Sequence, residues 1–185
     1  MRRLAAFLVV CALAVPTVWA GEVAEVTMAD DVTVGDTNLV LVGMGLRKKL
    51  WVKVYVAGLY LESPTTSAPD ALKMAGPKRV VMHFLTNKAN KKKMDAAWVE
   101  GFEANSPSNY GALKERVQTF ADLFPDLKVG DEVELTMVPG AGTSVTLNGE
   151  KKGIIDGDDF AEALLKVWLG GHPPTEELKV GMLGQ

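Results

Sequence analysis

The segment from Gly43 to Glu62 constrains the fold of this chain more than any other part of the sequence. It reads GMGLRKKLWVKVYVAGLYLE. Its valines, tyrosines and leucines are typical of a β-strand, and the glycines at 43 and 45 predict a turn before that strand. We therefore expect a glycine turn that carries Arg47, followed by a strand from Leu50 to Leu61 that carries Tyr55.

The pairing of Arg47 with Tyr55 indicates a site for an anion. A guanidinium offers planar, forked donors that match a carboxylate, an enolate or a phenolate, and a tyrosine hydroxyl supplies a further donor. The alternative is that residues 47–49, with the sequence Arg-Lys-Lys, form a hairpin tip in water, where long basic side chains usually lie. Both interpretations stay open at this point.

The other elements predict an α+β fold. Two stretches, over 94–102 and 113–124, repeat apolar residues at helical spacing, and Asn148-Gly149 is typical of a two-residue hairpin turn. Strands followed by paired helices, further strands and a last helix are characteristic of that class. The remaining predictions, in chain order, are strands over 23–28, 32–42 and 79–85, a helix over 70–75, strands over 132–138, 142–147 and 151–155, and a helix over 158–169.

Residues 1–20 predict a secretory signal peptide. Arg2 and Arg3 precede an apolar run from Leu4 to Val15, and Ala20 ends an acceptable cleavage site. We expect a mature chain over 21–185 that folds as a single domain in the periplasm or outside the cell, with no stable membrane span after cleavage. The only cysteine, Cys11, belongs to the signal.

Charge argues against nucleic acid as a partner. Removing Arg2 and Arg3 takes the formal net charge from −3 to −5, whereas affinity for phosphate backbones requires clustered positive charge. The four lysines of the segment Lys88 to Lys93 are the one basic patch, and we interpret them as a solvated helix start.

The sequence predicts neither a metal nor a cofactor. The two histidines, His83 and His172, lack the spacing of metal ligands. His83 is a candidate acid or base that is more simply structural, and His172 is interpreted as a helix-cap residue. Gly43-Met44-Gly45 lacks the third glycine and the following helix of a dinucleotide site. The acidic residues at 156, 158 and 159 are interpreted as helix-capping groups rather than calcium ligands.

Large apolar residues raise the possibility of a ligand cleft. Small-molecule sites are mostly apolar with a few convergent polar groups, although large apolar side chains are usually part of the core. The candidates for the wall of such a cleft are Trp51, Met94, Trp98 and Phe102.

Two blocks of sequence resemble the chalcone isomerase-like family, specifically its exported bacterial members. The first is Gly-x-Gly-x-Arg followed by KVYVAGLYL, and the second is GDDFAEALLKVWLGGHPP. The resemblance covers essentially all of residues 21–185. It implies an open-faced β-sandwich, in which helices cover a large antiparallel sheet and a ligand cleft lies between the two layers.

The resemblance also implies roles for individual residues. In the plant enzymes of the family an arginine steers the substrate phenolate, and in the plastid fatty-acid-binding relatives an arginine and a tyrosine hold a carboxylate. Arg47 matches that arginine, and Tyr55 stands where the enzymes have a threonine. The enzymes' tyrosine and lysine fall within Lys91 to Ala96, where Lys92 or Lys93 matches the lysine and no tyrosine is present.

Three hypotheses follow. The first is a periplasmic, non-catalytic protein that binds an apolar small molecule with an anionic head, such as a fatty acid, through Arg47 and Tyr55. The second is an intramolecular lyase or isomerase of the chalcone isomerase type, in which Arg47 stabilises an enolate. The third is an envelope structural module without a ligand, for which Arg47 would lie free on the surface.

Overall fold

The computed structural model describes residues 21–185, so the predicted signal peptide and Cys11 lie outside the described residues. Fourteen helices and strands follow one another in this part of the chain. They are β1 (Gly21–Val23), β2 (Val26–Met28), β3 (Asp31–Val34), β4 (Thr37–Lys49), β5 (Val52–Leu61), α1 (Ala68–Lys73), β6 (Lys78–Phe84), α2 (Lys91–Asn105), α3 (Tyr110–Asp122), β7 (Glu132–Val138), β8 (Gly142–Leu147), β9 (Glu150–Ile155), α4 (Asp158–Leu169) and α5 (Glu176–Met182).

The strands from β3 to β9 form one antiparallel sheet in the order of the sequence, and β1 pairs with β2 in a separate hairpin. Every neighbouring pair in the large sheet is sequential, so the sheet has no crossovers, although α1 separates β5 from β6, and α2 and α3 separate β6 from β7. The turn between β8 and β9 has the predicted form, because Asn148 and Gly149 both have positive φ, at 51° and 78°. The predicted α+β fold with a large antiparallel sheet covered by helices is confirmed.

The main core lies between the sheet and the helices. Aromatic side chains of α2, α3 and α4 interlock there, with Trp98 and Phe120 in an edge-on contact at 5.0 Å between ring centroids. Such pairs stabilise a core beyond their area of burial. A smaller core occupies the opposite face of the sheet, where Met28 from β2 packs with Val56 and Tyr60 from β5.

The predicted turn at Gly43-Met44-Gly45 is wrong. The strand β4 continues through it as far as Lys49, and the chain reverses at Leu50-Trp51. The glycines serve a different purpose, because α5 lies directly across β4. A Cβ atom at Gly43 would overlap the carbonyl oxygen of Gly181, and one at Gly45 would overlap that of Leu178.

Two predicted strands are each divided by a turn. The stretch 23–28 is a hairpin whose turn residues, Ala24 and Glu25, have positive φ. The stretch 32–42 is divided at Gly35-Asp36 between β3 and β4. In both cases apolar residues continue on either side of a two-residue turn, so the pattern resembles one strand. The short helix α5 was not predicted.

Candidate functional site

Arg47 and Tyr55 are cross-strand partners near one end of the β4–β5 hairpin. The register pairs the two residues directly, and the guanidinium carbon of Arg47 lies 5.4 Å from the centroid of the Tyr55 ring. This distance is within the range of a cation–π interaction. The prediction that the guanidinium and the phenol lie side by side therefore matches the geometry.

Both residues line a cleft between the sheet, helix α2 and the segment that follows α4. Its volume is about 330 Å³, at the lower end of the range of small-molecule sites, about 300–1,000 Å³. Its apolar wall includes Met82 from β6, Trp98 from α2 and Val167 from α4. The full lining is Arg47, Lys48, Lys49, Tyr55, Met82, Met94, Ala97, Trp98, Glu100, Gly101, Ala104, Val167, His172, Pro173 and Pro174.

The Tyr55 hydroxyl is oriented by a tryptophan. The ring is 2% exposed, and its oxygen accepts a hydrogen bond of 3.1 Å from Nε1 of Trp168. Burial raises the pKa of Tyr55, although Arg47 and the bond from Trp168 act in the opposite direction. The phenol therefore keeps its proton at neutral pH. Within residues 21–185 the one side-chain bond of this hydroxyl is the bond that it accepts from Trp168, and Tyr55 is among the residues that line the cleft.

Arg47 has no counter-charge in the part of the chain that the structure describes. Its side chain is partly buried, and the salt bridges, counted to 4.0 Å, include none with Arg47. The neighbouring Lys48 lies 3.9 Å from Glu177. Glu100 is the only acidic residue in the lining of the cleft. A partly buried cation without a partner favours the binding of an anion, because burial of unpaired charge is costly.

Trp98, which lines the cleft, carries a buried donor without a partner within residues 21–185. Its side chain is 4% exposed, and within residues 21–185 its Nε1 has no acceptor. An unsatisfied buried donor costs about 1–3 kcal/mol. Trp98 packs edge-on against Trp168 at 5.7 Å, so the two indoles and Tyr55 form one continuous group beside Arg47.

His172 lies on the rim of the cleft. The side chain of Asn105 holds this segment in two ways: Oδ1 accepts from the His172 amide at 2.8 Å, and Nδ2 donates to its carbonyl at 2.9 Å. These two bonds join the end of α2 to the segment after α4 and fix the mouth of the cleft. The interpretation of His172 as a helix-cap residue is wrong, because Gly170 caps the end of α4 and Thr175 caps the start of α5. The place of His172 beside the cleft was not predicted, and neither was the bond from Trp168 to Tyr55.

The other candidate residues divide between the cleft, the core and the surface. Met94 and Trp98 line the cleft, whereas Phe102 is fully buried in the main core and Trp51 is 84% exposed. The prediction that Trp51 packs in a cleft or a core is therefore wrong, because it occupies the hairpin turn. His83 is paired with Val56 and Glu132 in the sheet and does not line the cleft.

The interpretation of the acidic residues as capping groups of α4 is wrong, because the N-cap residue is Gly157, and Asp158 and Asp159 lie in the first turn of the helix. These two acids have other structural partners. Asp159 makes two bonds to the guanidinium of Arg116, at 2.6 and 2.8 Å, which lower the pKa of Asp159. Asp158 accepts from the amide of Gly140 at 2.9 Å. Within residues 21–185 no cluster of three or more histidine, cysteine or acidic residues has the geometry to hold a metal ion.

A second cavity adjoins the cleft. It has a volume of about 290 Å³ and shares Arg47, Lys49, Met94 and Ala97 with the cleft. Its wall is mainly apolar, and lysines lie at its edge. The residues that line it and not the cleft are Leu50, Val52, Val54, Thr86, Lys88, Ala89 and Lys93.

Comparison with solved structures shows a similar fold in a fatty-acid-binding protein from Arabidopsis thaliana. The TM-score is 0.67 and the sequence identity 18%, over 86% of this chain and 92% of that chain. Comparison with curated protein sequences gives no significant match. The model of a protein family described as chalcone isomerase-like matches residues 20–184. Because that match spans nearly the whole sequence, the chain belongs to the chalcone isomerase-like family.

Proposed function

We propose that this protein is an exported, non-catalytic binding protein for an apolar small molecule with an anionic head, such as a fatty acid. The observation that carries the proposal is the partly buried, unpaired guanidinium of Arg47 beside Tyr55, in the wall of a cleft that also has apolar side chains. The head group accepts hydrogen bonds from Arg47 and Tyr55. The apolar part lies against Met82, Trp98 and Val167.

Two further points support this function. The similar Arabidopsis protein is described as a fatty-acid-binding protein. The two groups that we propose for the head group, the guanidinium of Arg47 and the hydroxyl of Tyr55, also both have protons to donate. A carboxylate is an acceptor only, so it matches such a set.

We propose binding without catalysis because the segment Lys91 to Ala96 lacks the enzymes' tyrosine. This segment contributes Met94 to the cleft and Lys93 to the second cavity.

The third hypothesis, a module without a ligand, required Arg47 to lie free on the surface. That hypothesis does not fit a cleft lined by a partly buried Arg47.

Replacement of Arg47 by alanine tests the proposal. We expect hexadecanoic acid to displace a fluorescent fatty-acid analogue from the unaltered protein, and Arg47→Ala to weaken that affinity at least about tenfold. A hydrogen bond to a charged group contributes about 1.5–3 kcal/mol, and about 1.4 kcal/mol corresponds to a factor of ten.

Lys151→Ala is the matched control, because it removes one positive charge from an exposed position on β9 and should leave the affinity unchanged. Equal affinity of the unaltered protein and Arg47→Ala would contradict the proposal. Turnover of a chalcone by the unaltered protein, lost in Arg47→Ala, would establish the lyase instead.

A further inference from the structure

The turn between β4 and β5 exposes two adjacent large apolar side chains. Leu50 is 80% exposed and Trp51 is 84% exposed, the highest values among the large apolar residues of the described chain. Exposed apolar groups rimmed by polar residues are characteristic of interaction sites. We refer to residues 48–53 as the hairpin tip.

The backbone of the hairpin tip is unfavourable for the residue that it carries. Leu50 has a φ of 56°, in the left-handed region that glycine and asparagine usually occupy. The side chain that imposes this strain lies mostly in solvent. The fold itself would be better served by glycine at this position, so the leucine indicates a role outside the packing of the chain.

Lysines surround the two apolar side chains. Lys48 and Lys53 face each other across the hairpin, although like charges in that position are destabilising. Lys49, Lys88 and Lys93 line the second cavity together with Leu50. Within residues 21–185, four of these five lysines have no salt bridge, and Lys48 has only the contact of 3.9 Å with Glu177.

The start of helix α2 adds to the positive potential of this surface. Its first turn begins with three lysines, at 91–93, and contains no acidic residue. The N-terminus of a helix already carries a partial positive charge, which acidic side chains usually offset. Here Asp126 accepts from the amide of Lys91 at 2.7 Å, and Lys91 pairs with Asp95 and Asp122. The positive charge that this helix start adds at the end of the molecule with the hairpin tip therefore comes from Lys92 and Lys93.

We propose that the hairpin tip docks the protein on a membrane surface rich in anionic lipids. Trp51 and Leu50 enter the head-group region, where tryptophan is favoured, and the five lysines lie against the lipid phosphates. The full chain has a net charge of −3, so the same membrane repels the rest of the molecule and the tip faces the bilayer.

The position of the second cavity relates the docking surface to the transfer of ligand into the cleft. It extends from Leu50 at the tip to Arg47 and Met94, which also line the cleft. In a docked molecule this mainly apolar cavity therefore lies between the bilayer and the cleft. The docking itself depends on exposure and charge, and only its use in ligand transfer rests on the proposed function. No helix in residues 21–185 combines the length and apolar character needed to cross a bilayer, and the proposed contact is a surface contact.

Sedimentation with lipid vesicles tests the docking. All variants are made in the form of the protein that its host produces. We expect binding to vesicles that contain phosphatidylglycerol to be at least about tenfold tighter than to vesicles of phosphatidylcholine alone, and to weaken at high salt. The tryptophan emission should shift to shorter wavelength on binding, because Trp51 is exposed while Trp98 and Trp168 are buried.

The double variant Leu50→Gly/Trp51→Ser should lose both the binding and the emission shift. Glycine followed by serine suits a hairpin turn with positive φ at its first position, so this variant should unfold at the same temperature as the unaltered protein or higher. A second variant, Lys49→Gln/Lys53→Gln, should weaken binding, whereas Lys73→Gln/Lys151→Gln, with the same change of charge at exposed positions elsewhere, should not.

Undiminished vesicle binding by the Leu50→Gly/Trp51→Ser variant would overturn the proposal, and so would a dimer that buries Trp51 in the absence of lipid. Trp51→Ser separates this proposal from the proposed function, because Trp51 lines neither the cleft nor the second cavity. We expect Trp51→Ser to keep the affinity for hexadecanoic acid in free solution. If vesicle binding is absent and this affinity is present, only the docking is wrong.

Discussion

Val54 determines which way Tyr55 points. Arg47 pairs with Tyr55 and Lys48 pairs with Lys53, so Val54 is an extra residue on β5. Such a β-bulge changes the direction of the neighbouring side chains. Val54 packs at the edge of the main core, and Tyr55 lies within it. Two consecutive residues thus face the helices, and the guanidinium and the phenol meet at the cleft.

Replacement of Tyr55 by phenylalanine should affect both stability and binding. Trp168 would lose the acceptor of its Nε1 bond, which predicts a decrease of about 1–3 kcal/mol in the free energy of unfolding. The ligand would lose a donor, which predicts a decrease in affinity of several-fold to about tenfold. Urea unfolding and displacement of a fluorescent fatty acid measure the two effects.

Tyr60→Phe is the matched control for this prediction. Tyr60 is a buried tyrosine of the same strand in the smaller core, and its hydroxyl donates to the carbonyl oxygen of Ala29 at 2.8 Å. Its loss should destabilise the fold by about 1 kcal/mol without an effect on affinity. A similar decrease in affinity in both variants would show that Tyr55 acts only through stability.

The sequence predicts part of this site for a local reason. Arg47 and Tyr55 belong to one hairpin, so their separation along the chain is enough to bring them together. Trp168 is 113 positions away from Tyr55, and only the packing of α4 on the sheet unites them. Asn105 and His172 are likewise 67 positions apart. No local sequence pattern predicts contacts between residues so far apart in the chain.

Among the elements, α5 depends on the glycines of β4. Gly43 and Gly45 allow the backbone of this helix to lie directly on the strand, and Gly181 allows the same approach from the helix side. The helix begins at Thr175, whose hydroxyl accepts from the amide of Leu178 at 3.2 Å. Leu178 and Met182 then complete the main core at the end of the sheet that carries Arg47.

Gly45→Ala should therefore destabilise the protein. The added methyl group would overlap the backbone of Leu178, and overpacking of this kind costs about 1–3 kcal/mol. Gly111→Ala is the control, because Gly111 lies in α3 with no atom within 4 Å of the added carbon. It should raise stability by up to about 1 kcal/mol, since alanine is favoured over glycine in helices.

Urea unfolding of the two glycine variants measures the difference. Equal midpoints for Gly45→Ala and the unaltered protein would contradict the close approach of α5. The sequence alone could not predict this approach. A glycine that a turn requires cannot be distinguished in the sequence from a glycine that allows a helix to pack closely on a strand. The seven residues of α5 are also too few to show a helical period.

At the scale of the whole molecule, the fold could be predicted more fully than the site. The large sheet joins neighbours in sequence, and α4 begins and ends at the predicted residues. Both follow from local patterns of apolar residues and turns. The cleft instead forms where β4, β5, β6, α2, α4 and the segment after α4 meet, and its volume depends on how the layers pack.

The central claim is that Arg47 holds the anionic head of an apolar ligand, and the most direct test varies the head group and the arginine together. Calorimetric titration with dodecanoic acid and dodecan-1-ol compares two ligands with the same number of carbon atoms. We predict that the unaltered protein prefers the acid at least about tenfold, because a charged hydrogen bond contributes about 1.5–3 kcal/mol, and that Arg47→Met shows no preference. Equal affinity of the unaltered protein for acid and alcohol, or a preference that persists in Arg47→Met, would contradict the account.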